Sequence, residues 1–278
     1  MRTKRFLAAA AAALIASTGL VACSSETESS SSSKGDGDNV TVKIGTTDAD
    51  LKAWSVFADE AEKNGIHLDI VRFSEYPQVN PAQSEGQIEI SKFQTINYQA
   101  QYNASAGKDL RIIGSGEINI LGLYWKDHDS LDGIEGEEVA VPNDPSNQGR
   151  AINVLVQADL VTLKPGAPTL TPTPADIDEA ASKVSVVAID ASQTPSAYNE
   201  GRPAVINNNW LSRAGIDPAS AVAADDPNSE LAEPYINVFT VKADQVDNEI
   251  FEKLVEVWHS DEVTEALNQD SGGTAVQV

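Results

Sequence analysis

The sequence predicts an α/β fold with two lobes, and two observations lead to that prediction. From Val40 onward, short apolar segments suited to strands alternate with segments whose apolar residues recur every three or four positions, as in helices. Such alternation is typical of βαβ units. In addition, two apolar segments, Ile118–Trp125 and Tyr235–Val241, are longer than the others. Two long strands added to alternating βα units suit a protein that is divided into two lobes.

The first βαβ unit lies between Val40 and Ile70. Apolar and polar residues alternate from Val40 to Ile44, which predicts a half-buried strand. Apolar residues between Leu51 and Ala61 fall on one face of a helix, and Asn64-Gly65 ends that helix. Alternation resumes over Ile66–Ile70. Because a strand, a helix and a second strand follow one another directly, we expect the two strands to be parallel.

The later elements follow from the same periodicities and from local start signals. Thr173-Pro-Ala-Asp176 is similar to a capping box, with proline in the first helical position, and predicts a helix start. The other predictions are a polar helix near Asn80–Gly86, a short apolar segment at Ile88–Ile90, strands at Leu110–Ile113, Val139–Val141, Val184–Ile189 and Ala204–Ile206, and helices that start near Ser146, that contain Ile250, Leu254 and Trp258, and that start at Asp261.

The first 39 residues are predicted to lie outside the fold. The basic segment Met1–Arg5 precedes an Ala-rich apolar segment, Phe6–Val21, which is too short for a stable transmembrane helix and is typical of a signal peptide. It ends in Leu20-Val-Ala-Cys23, which resembles a bacterial lipobox. We therefore expect a signal peptide over residues 1–22, a lipid such as palmitate on Cys23, and a flexible Ser-rich tether over residues 23–39. The protein would then be anchored on the extracytoplasmic side of the cell membrane.

Charge and cysteine content restrict the possible partners. The formal net charge is -23 at pH 7, which argues against nucleic acid or anionic lipid head groups as partners of the folded part. An anionic ligand would need a local positive group. Cys23 is the only cysteine, so no disulfide within the chain is possible and the fold depends on its core.

Sequence signatures of catalysis are absent. The chain has no Gly-x-Ser-x-Gly elbow, no Walker-type phosphate loop and no Gly-x-Gly-x-x-Gly motif. Its three histidines, His67, His128 and His259, are far apart and none has zinc-ligand spacing to another. We therefore predict that the protein is not an enzyme and has no cofactor or metal.

The segment Val139–Arg150, VAVPNDPSNQGR, predicts a strand, a turn and the start of a helix. Asp144 or Ser146 is placed to cap the first helical turn. A helix N-terminus offers unpaired N–H groups and a partial positive charge, which suit an anion. Arg150 lies about one turn into the helix, where its guanidinium could bind a carboxylate through two hydrogen bonds.

This segment also resembles the signature of the NlpA-type lipoproteins, the methionine-binding components of ABC importers. The resemblance implies the two-lobed fold of type II periplasmic binding proteins, with a ligand cleft between the lobes. It assigns residues 40–122 and 234–278 to one lobe and residues 123–233 to the other, with the two long strands crossing between them. Shorter similarities extend it over most of the chain after about Val40, at Phe93-Gln94, Ala204-Val-Ile-Asn207, Glu233-Pro-Tyr-Ile-Asn237, Ser260-Asp-Glu-Val263 and Gly272-Gly273.

A free amino acid carries two charges, and its burial requires a partner for each of them. Arg150 and its helix start suit the carboxylate. Asn207 and Asn237 adjoin apolar strands and can supply amide oxygens to the ammonium and amide nitrogens to the carboxylate. Asn209 is interpreted first as a loop residue.

Aromatic residues are expected around the side chain of the ligand, because a thioether is polarizable and gains from contact with rings. In the resemblance these walls correspond to Tyr76, Phe93 and Tyr98, and Trp210 is placed at the rim.

The chain departs from the family pattern next to Phe93. The family typically has Phe-Gln-His and then Pro-Tyr, whereas this chain has Phe93-Gln-Thr-Ile-Asn-Tyr98. Thr95 in place of an imidazole changes the polarity and size of the pocket wall. The resemblance implies a lipoprotein that captures methionine or a related amino acid and delivers it to an ABC permease with its ATPase. The alternatives are another amino acid or a short peptide as ligand, or a surface lipoprotein with an adhesive or structural role that does not take part in transport.

Overall fold

A computed structural model describes residues 40–229 and 231–278. The predicted signal peptide, Cys23 and the tether lie outside the described residues. The α/β class is confirmed. The described helices are α1 Lys52–Lys63, α2 Val79–Ser84, α3 Ile96–Ala106, α4 Pro145–Gln157, α5 Thr194–Asn199, α6 Asn208–Ala214, α7 Glu249–Trp258 and α8 Asp261–Ser271. The described strands are β1 Val40–Thr46, β2 Ile66–Arg72, β3 Ile90–Thr95, β4 Leu110–Ser115, β5 Glu117–Asn119, β6 Gly122–Tyr124, β7 Glu138–Pro142, β8 Ser185–Ile189, β9 Ala204–Ile206, β10 Ala223–Ala224, β11 Asn237–Lys242 and β12 Ala275–Gln277.

The first sheet has five strands in the order β2-β1-β3-β11-β4. β1 is parallel to β2 and β3, with Val40 opposite Ile66, so the predicted βαβ unit is confirmed. β11 returns from late in the chain and pairs antiparallel with β3 and β4. Phe239 of β11 packs against Phe57 of α1 and Trp258 of α7, in a buried aromatic cluster that covers one face of this sheet.

The second sheet also has five strands, in the order β10-β6-β9-β7-β8. β7 is parallel to β8 and β9, whereas β6 is antiparallel to β9. Val139 and Val141 of β7 bury against Ile152 and Leu155 of α4, so the predicted strand-turn-helix segment builds this core. A small antiparallel pair, β12 with β5, lies outside both sheets.

The segment Ile118–Trp125 is not one strand, and that prediction is wrong. It divides into β5, which pairs with β12, and β6, which pairs with β9 and β10 of the second sheet. Between them the Leu121 N–H donates to Asp225 Oδ1 (2.8 Å) and the Ile120 N–H donates to the Thr274 carbonyl (3.3 Å). Because these N–H groups bond to loops, the ladder is interrupted where the chain passes from one sheet to the next.

Other predicted boundaries also move. The capping box at Thr173 forms, but only one 3-10 turn follows, because Ile177 pairs with Leu163 in an extended bridge. The strand predicted from Tyr235 begins instead at Asn237, since Glu233–Tyr235 form a 3-10 turn. The apolar segment at Ile88–Ile90 leads into β3, which continues to Thr95.

Three helices have no counterpart among the predicted elements. α3 buries only Gln99 and therefore has no apolar stripe, while α5 and α6 are only 6 and 7 residues long. Such helices leave no periodic signal in the sequence. Among the described residues, no helix combines the length and apolar character needed to cross a membrane.

Candidate ligand-binding site

A cleft of about 770 Å³, a volume that includes its open mouth, is lined by residues that follow strands of both sheets. All of the side chains predicted to bind ligand line it: Tyr76, Phe93, Tyr98, Arg150, Asn207 and Asn237. The structure adds polar neighbours that the sequence did not single out as ligand-binding: Asp48, Glu117, Asn119, Asn147, Asn208 and Asn209. No group of three or more His, Cys, Asp or Glu in the described ranges is arranged to hold a metal ion.

The aromatic wall consists of rings in mutual contact. Tyr76 lies 6.2 Å from Phe93 and 6.1 Å from Tyr98, measured between ring centroids, and Phe93 lies 5.8 Å from Tyr98 in an edge contact. Trp210, predicted at the rim, is instead 3% exposed and packs behind Tyr76 at 5.4 Å. The three predicted rings therefore form an aromatic part of the cleft surface, and Trp210 packs behind it.

The phenol groups of this wall stay protonated at neutral pH. Burial raises the pKa of Tyr76 well above its ordinary value, and the carboxylates of Asp144 and Asp48 add to the effect. Burial likewise raises the pKa of Tyr98, with a further contribution from Asp144. The Tyr76 hydroxyl is therefore available as a donor, and it donates to Asn209 Oδ1 at 2.5 Å.

Arg150 lies on α4 with its side chain 6% exposed. Its Nε donates to Asp225 Oδ2 at 2.6 Å and its Nη2 donates to the Asn119 carbonyl at 2.7 Å. The guanidinium also lies over the Tyr235 ring, 4.6 Å from its centroid. These contacts fix the cation at the wall of the cleft. A guanidinium has five N–H donors, so donors remain for a ligand.

The start of α4 is capped from within the chain. Asp144 is the N-cap, and its Oδ1 accepts the Asn147 N–H at 2.9 Å. Burial raises the pKa of this carboxyl above its ordinary value. Because a carboxylate already lies at this helix end, Arg150 is the group of this segment that remains to bind an anionic ligand.

Asp144 also sets the polarity of a chain of amides that leads into the cleft. An ionised carboxylate can only accept hydrogen bonds, so Asn147 directs its Nδ2 to Asp144, 3.0 Å from each oxygen. The Oδ1 of Asn147 then accepts from Asn207 Nδ2 at 2.9 Å. Asn207 Oδ1 is left buried without a partner among the described residues. Asn207 therefore presents an acceptor, which suits the ammonium of a ligand.

Asn237 is the first residue of β11, and its carbonyl accepts the Gly116 N–H at 2.8 Å. This places it beside Glu117, whose carboxylate forms a buried ion pair with Lys92 at 2.6 Å. This pair is not among the residues predicted from the sequence. A signal was present, because Lys92 interrupts the strand Ile90–Thr95, every residue of which is buried. A charge in such a strand requires a partner of opposite sign.

Thr95, at the departure from the family pattern, caps α3. Its Oγ1 accepts the Tyr98 N–H at 3.2 Å, and the residue lines the cleft. Thr95 therefore positions the aromatic wall and adds a small polar group to it.

Helix α6 joins the second sheet to the first at the cleft. Asn209 is not a loop residue, as was expected, but belongs to the first turn of α6, and its Nδ2 donates to Thr47 Oγ1 at 3.4 Å. Arg213 Nη2 donates to the Thr47 carbonyl at 2.6 Å, and its Nε lies 3.3 Å from Asp50 Oδ2. Since Thr47 and Asp50 follow β1, these contacts join the two sides of the cleft.

Comparisons with known proteins agree with this architecture. The family model described as NlpA lipoprotein matches residues 42–278. The D-methionine-binding lipoprotein MetQ of Escherichia coli strain K12 is 33% identical over 275 residues, which cover 97% of this chain and 96% of that protein. Lipoprotein 28 of Escherichia coli O157:H7 is 29% identical over 280 residues, which cover 99% and 98% of the two chains.

Solved structures extend the likeness to three dimensions. The crystal structure of the methionine binding protein MetQ matches with a TM-score of 0.79 and 33% identity, covering 86% of this chain and 98% of that one. A nutrient binding protein from Burkholderia cenocepacia bound to methionine matches with a TM-score of 0.78 and 31% identity, covering 85% and 99%. A family model that spans residues 42–278, together with relatives that match over nearly their whole length, places the protein: this chain belongs to the NlpA lipoprotein family.

Proposed function

We propose that this protein is the substrate-binding lipoprotein of an ABC importer and that it captures methionine or a related amino acid in the cleft. The observation that carries the proposal is the convergence of a buried guanidinium, an unpartnered amide oxygen and an aromatic wall in one cleft. The names of the relatives support methionine, because MetQ is described as a D-methionine-binding lipoprotein.

Each part of an amino acid has a complement in the cleft. The Arg150 guanidinium binds the carboxylate through the donors that Asp225 and Asn119 leave free. Asn207 Oδ1 accepts from the ammonium, and Asn237 adds a second amide. The side chain lies against Tyr76, Phe93 and Tyr98, where a thioether gains from contact with the rings. No covalent step is involved, and selection depends on complementarity.

Capture would be coupled to closure of two lobes. We infer that the first sheet is the core of a lobe of residues 40–122 and 234–278, and that the second sheet is the core of a lobe of residues 123–233. A lipid on Cys23 would hold the protein on the extracytoplasmic face of the membrane, close to the permease and its ATPase. Ligand would favour the closed arrangement because only that arrangement offers all of its contacts at once.

A second candidate is a more polar amino acid or a short peptide. The polar groups of Thr95, Glu117 and Asn119 line the cleft beside the aromatic wall and favour a ligand with additional hydrogen-bonding groups. This candidate shares the Arg150 site and differs only in what occupies the rest of the cleft.

The test is thermal unfolding of the full chain, solubilised in detergent, with L-methionine, D-methionine, other amino acids and methionine-containing dipeptides. A ligand at about 100 times its Kd should stabilise the protein by about 2.7 kcal/mol. A shift with methionine assigns it as ligand, and a shift only with another compound assigns the second candidate. If no compound stabilises the chain, solute capture is wrong and an adhesive role takes its place.

The matched variants for this test change arginines in different settings. Arg150→Met combined with Asp225→Asn removes the buried pair together, so that no lone charge is left in the wall. It should abolish the ligand-dependent shift. Arg111→Ala removes an exposed arginine that pairs with Asp109 and should leave the shift unchanged.

A further inference from the structure

We propose that Glu117 is a binding residue for an ammonium group of the ligand. The inference rests on the function proposed above and deepens it. Glu117 lies on β5, is 2% exposed and lines the cleft.

The two carboxylate oxygens of Glu117 have different surroundings. Oε1 accepts from Lys92 Nζ at 2.6 Å and from Asn119 Nδ2 at 3.2 Å. Oε2 is buried and has no hydrogen-bond partner among the described residues. Leaving a buried charged oxygen unsatisfied is unfavourable, because the group loses its hydration without replacement. Oε2 therefore requires a donor that the described residues do not supply, and Glu117 is among the residues that line the cleft.

The neighbours of Glu117 indicate which donor this is. Asn119 connects it to the carboxylate site, since Asn119 Nδ2 bonds to Glu117 while the Asn119 carbonyl bonds to Arg150 Nη2. Asn237 lies beside it through the bond from the Gly116 N–H to the Asn237 carbonyl. Asn119 thus connects the Arg150 guanidinium with the Glu117 carboxylate. A zwitterionic ligand requires such a pair of opposite charges. An ammonium supplies three N–H donors and a charge opposite to that of Glu117.

The Lys92 ion pair does not satisfy Glu117 by itself. Lys92 Nζ bonds only to Oε1 of that carboxylate and lies over the Trp258 ring, 4.2 Å from its centroid. Trp258 Nε1 is also buried without a partner among the described residues, so a water molecule between it and Glu117 is the competing explanation for Oε2. The ligand is favoured because Glu117 lines the cleft, whereas Trp258 is 0% exposed and is absent from its lining.

The experiment is a calorimetric cycle on the full chain in detergent, with ligands that do or do not carry an amine. L-Methionine is compared with 4-(methylthio)butanoate, which lacks the α-ammonium, and L-lysine is compared with L-norleucine, which lacks the side-chain amine. The variant is Lys92→Met with Glu117→Gln, which removes both members of the pair and leaves no lone buried lysine. Glu138→Gln, at an exposed pair with Arg202, is the control.

We expect the wild type and the control to bind the amine-bearing member of one pair about 10- to 100-fold more tightly. In the double variant this preference should fall to a few-fold, because the amine-bearing ligand loses affinity and the matched ligand without the amine does not. The pair that responds identifies the source of the ammonium, α-amino or side-chain. If the double variant fails to fold, Glu117→Asp is used, since it keeps the charge but withdraws the carboxylate, and the same selective loss is expected.

An unchanged preference in the variant would overturn the proposal and assign Oε2 to a water molecule shared with Trp258. In that case methionine still binds to the wild type, so the function proposed above stands. If the wild type binds neither these four compounds nor D-methionine, capture of methionine and this inference are both wrong.

Discussion

Asp225 accepts a hydrogen bond from Arg150 Nε at 2.6 Å through one oxygen and from the Leu121 N–H at 2.8 Å through the other. The same carboxylate thus orients the guanidinium of the cleft and holds the chain where it passes from β5 to β6. The Asp225 side chain is 14% exposed and that of Arg150 is 6% exposed, so solvent screens this pair weakly.

Removing one member of this pair should destabilise the fold more than removing both. Asp225→Ala leaves Arg150 buried without its counter-ion and is expected to lower the free energy of unfolding by about 3 to 5 kcal/mol. Arg150→Met combined with Asp225→Asn should lower it by less than Asp225→Ala alone. Urea unfolding of the variants measures the difference. A double variant that is no more stable than Asp225→Ala would contradict the prediction that the unpaired guanidinium causes the loss.

Arg213 should affect ligand binding without touching the ligand. Its bonds to Thr47 and Asp50 join α6 to the segment after β1, so Arg213→Ala should favour opening of the cleft. We expect the Kd for the bound amino acid to rise about 2- to 12-fold, mainly through faster dissociation. Stopped-flow fluorescence measures the rate.

Arg72→Ala is the control for Arg213, because Arg72 also pairs with Asp50 but belongs to β2 of the same sheet as β1. The Arg72→Ala variant removes an ion pair of Asp50, but this ion pair does not connect the two sides of the cleft. Equal effects of the two variants on dissociation would contradict the role given to Arg213.

Asp144 should make stability fall as pH rises. Burial raises the pKa of its carboxyl above 3.8, so the folded state holds the proton more tightly than the unfolded state. Its contribution to stability is therefore fully present below pH 3.8 and is lost as pH rises from there through the folded-state pKa. Asp144→Asn keeps a capping oxygen but cannot ionise. The stability of this variant relative to wild type should increase with pH over that window.

Asp176→Asn provides a control of opposite sign. Hydrogen bonds from the Thr173 N–H and hydroxyl lower the pKa of the Asp176 carboxyl. This carboxyl stabilises the folded state above its unfolded pKa, and the stabilisation is lost as pH falls. The stability of the Asp176→Asn variant relative to wild type should therefore decrease as pH rises. Urea unfolding at pH values from about 3 to 8 checks both signs. Parallel profiles for the Asp144 variant and the wild type would refute the first prediction.

Gly149→Ala should destabilise the protein although it lies inside α4. Alanine in place of glycine within a helix normally stabilises by about 0.5 to 1 kcal/mol. Here a Cβ would lie 2.5 Å from the Leu170 carbonyl oxygen and 2.8 Å from Thr171 Cα, which are backbone atoms. Overpacking of this kind costs about 1 to 3 kcal/mol, so we expect a net loss of about 1 to 2 kcal/mol in thermal unfolding. A gain would mean that the 170–172 segment moves away freely.

The regular part of the fold could be predicted because its signals are local. Alternation over Val40–Ile44 and Ile66–Ile70 and the helical spacing after Ser146 each depend on a few neighbouring residues, and the structure confirms these elements. Ile118–Trp125 failed as one strand because its break depends on Asp225, more than 100 residues away. Helices α5 and α6 were not predicted because they are too short to show a helical repeat of apolar residues.

The grouping of the predicted site residues around one cleft could be anticipated for a different reason. The resemblance to a family indicated which residues belong together, and Arg150, Asn207 and Tyr76 do line one cleft. The Lys92–Glu117 pair could not be predicted as a pair. Lys92 in a buried strand indicates that a counter-ion is needed, but nothing in one sequence identifies a residue 25 positions away as that counter-ion. The orientation of the Asn207 side-chain amide could not be predicted either, since it depends on the hydrogen bonds from Asn147 to Asp144 and from Asn207 to Asn147.

The measurement that tests solute capture most directly is a calorimetric titration of the full chain in detergent with L-methionine, D-methionine and the corresponding methioninamides. The amides keep the ammonium and the thioether but lack the carboxylate assigned to Arg150. We predict saturable binding of at least one methionine enantiomer, with one site per chain, and binding of its amide that is weaker by at least about 10-fold. Equal affinity of acid and amide would contradict the role given to Arg150, and no heat from any of the four compounds would contradict methionine as the ligand.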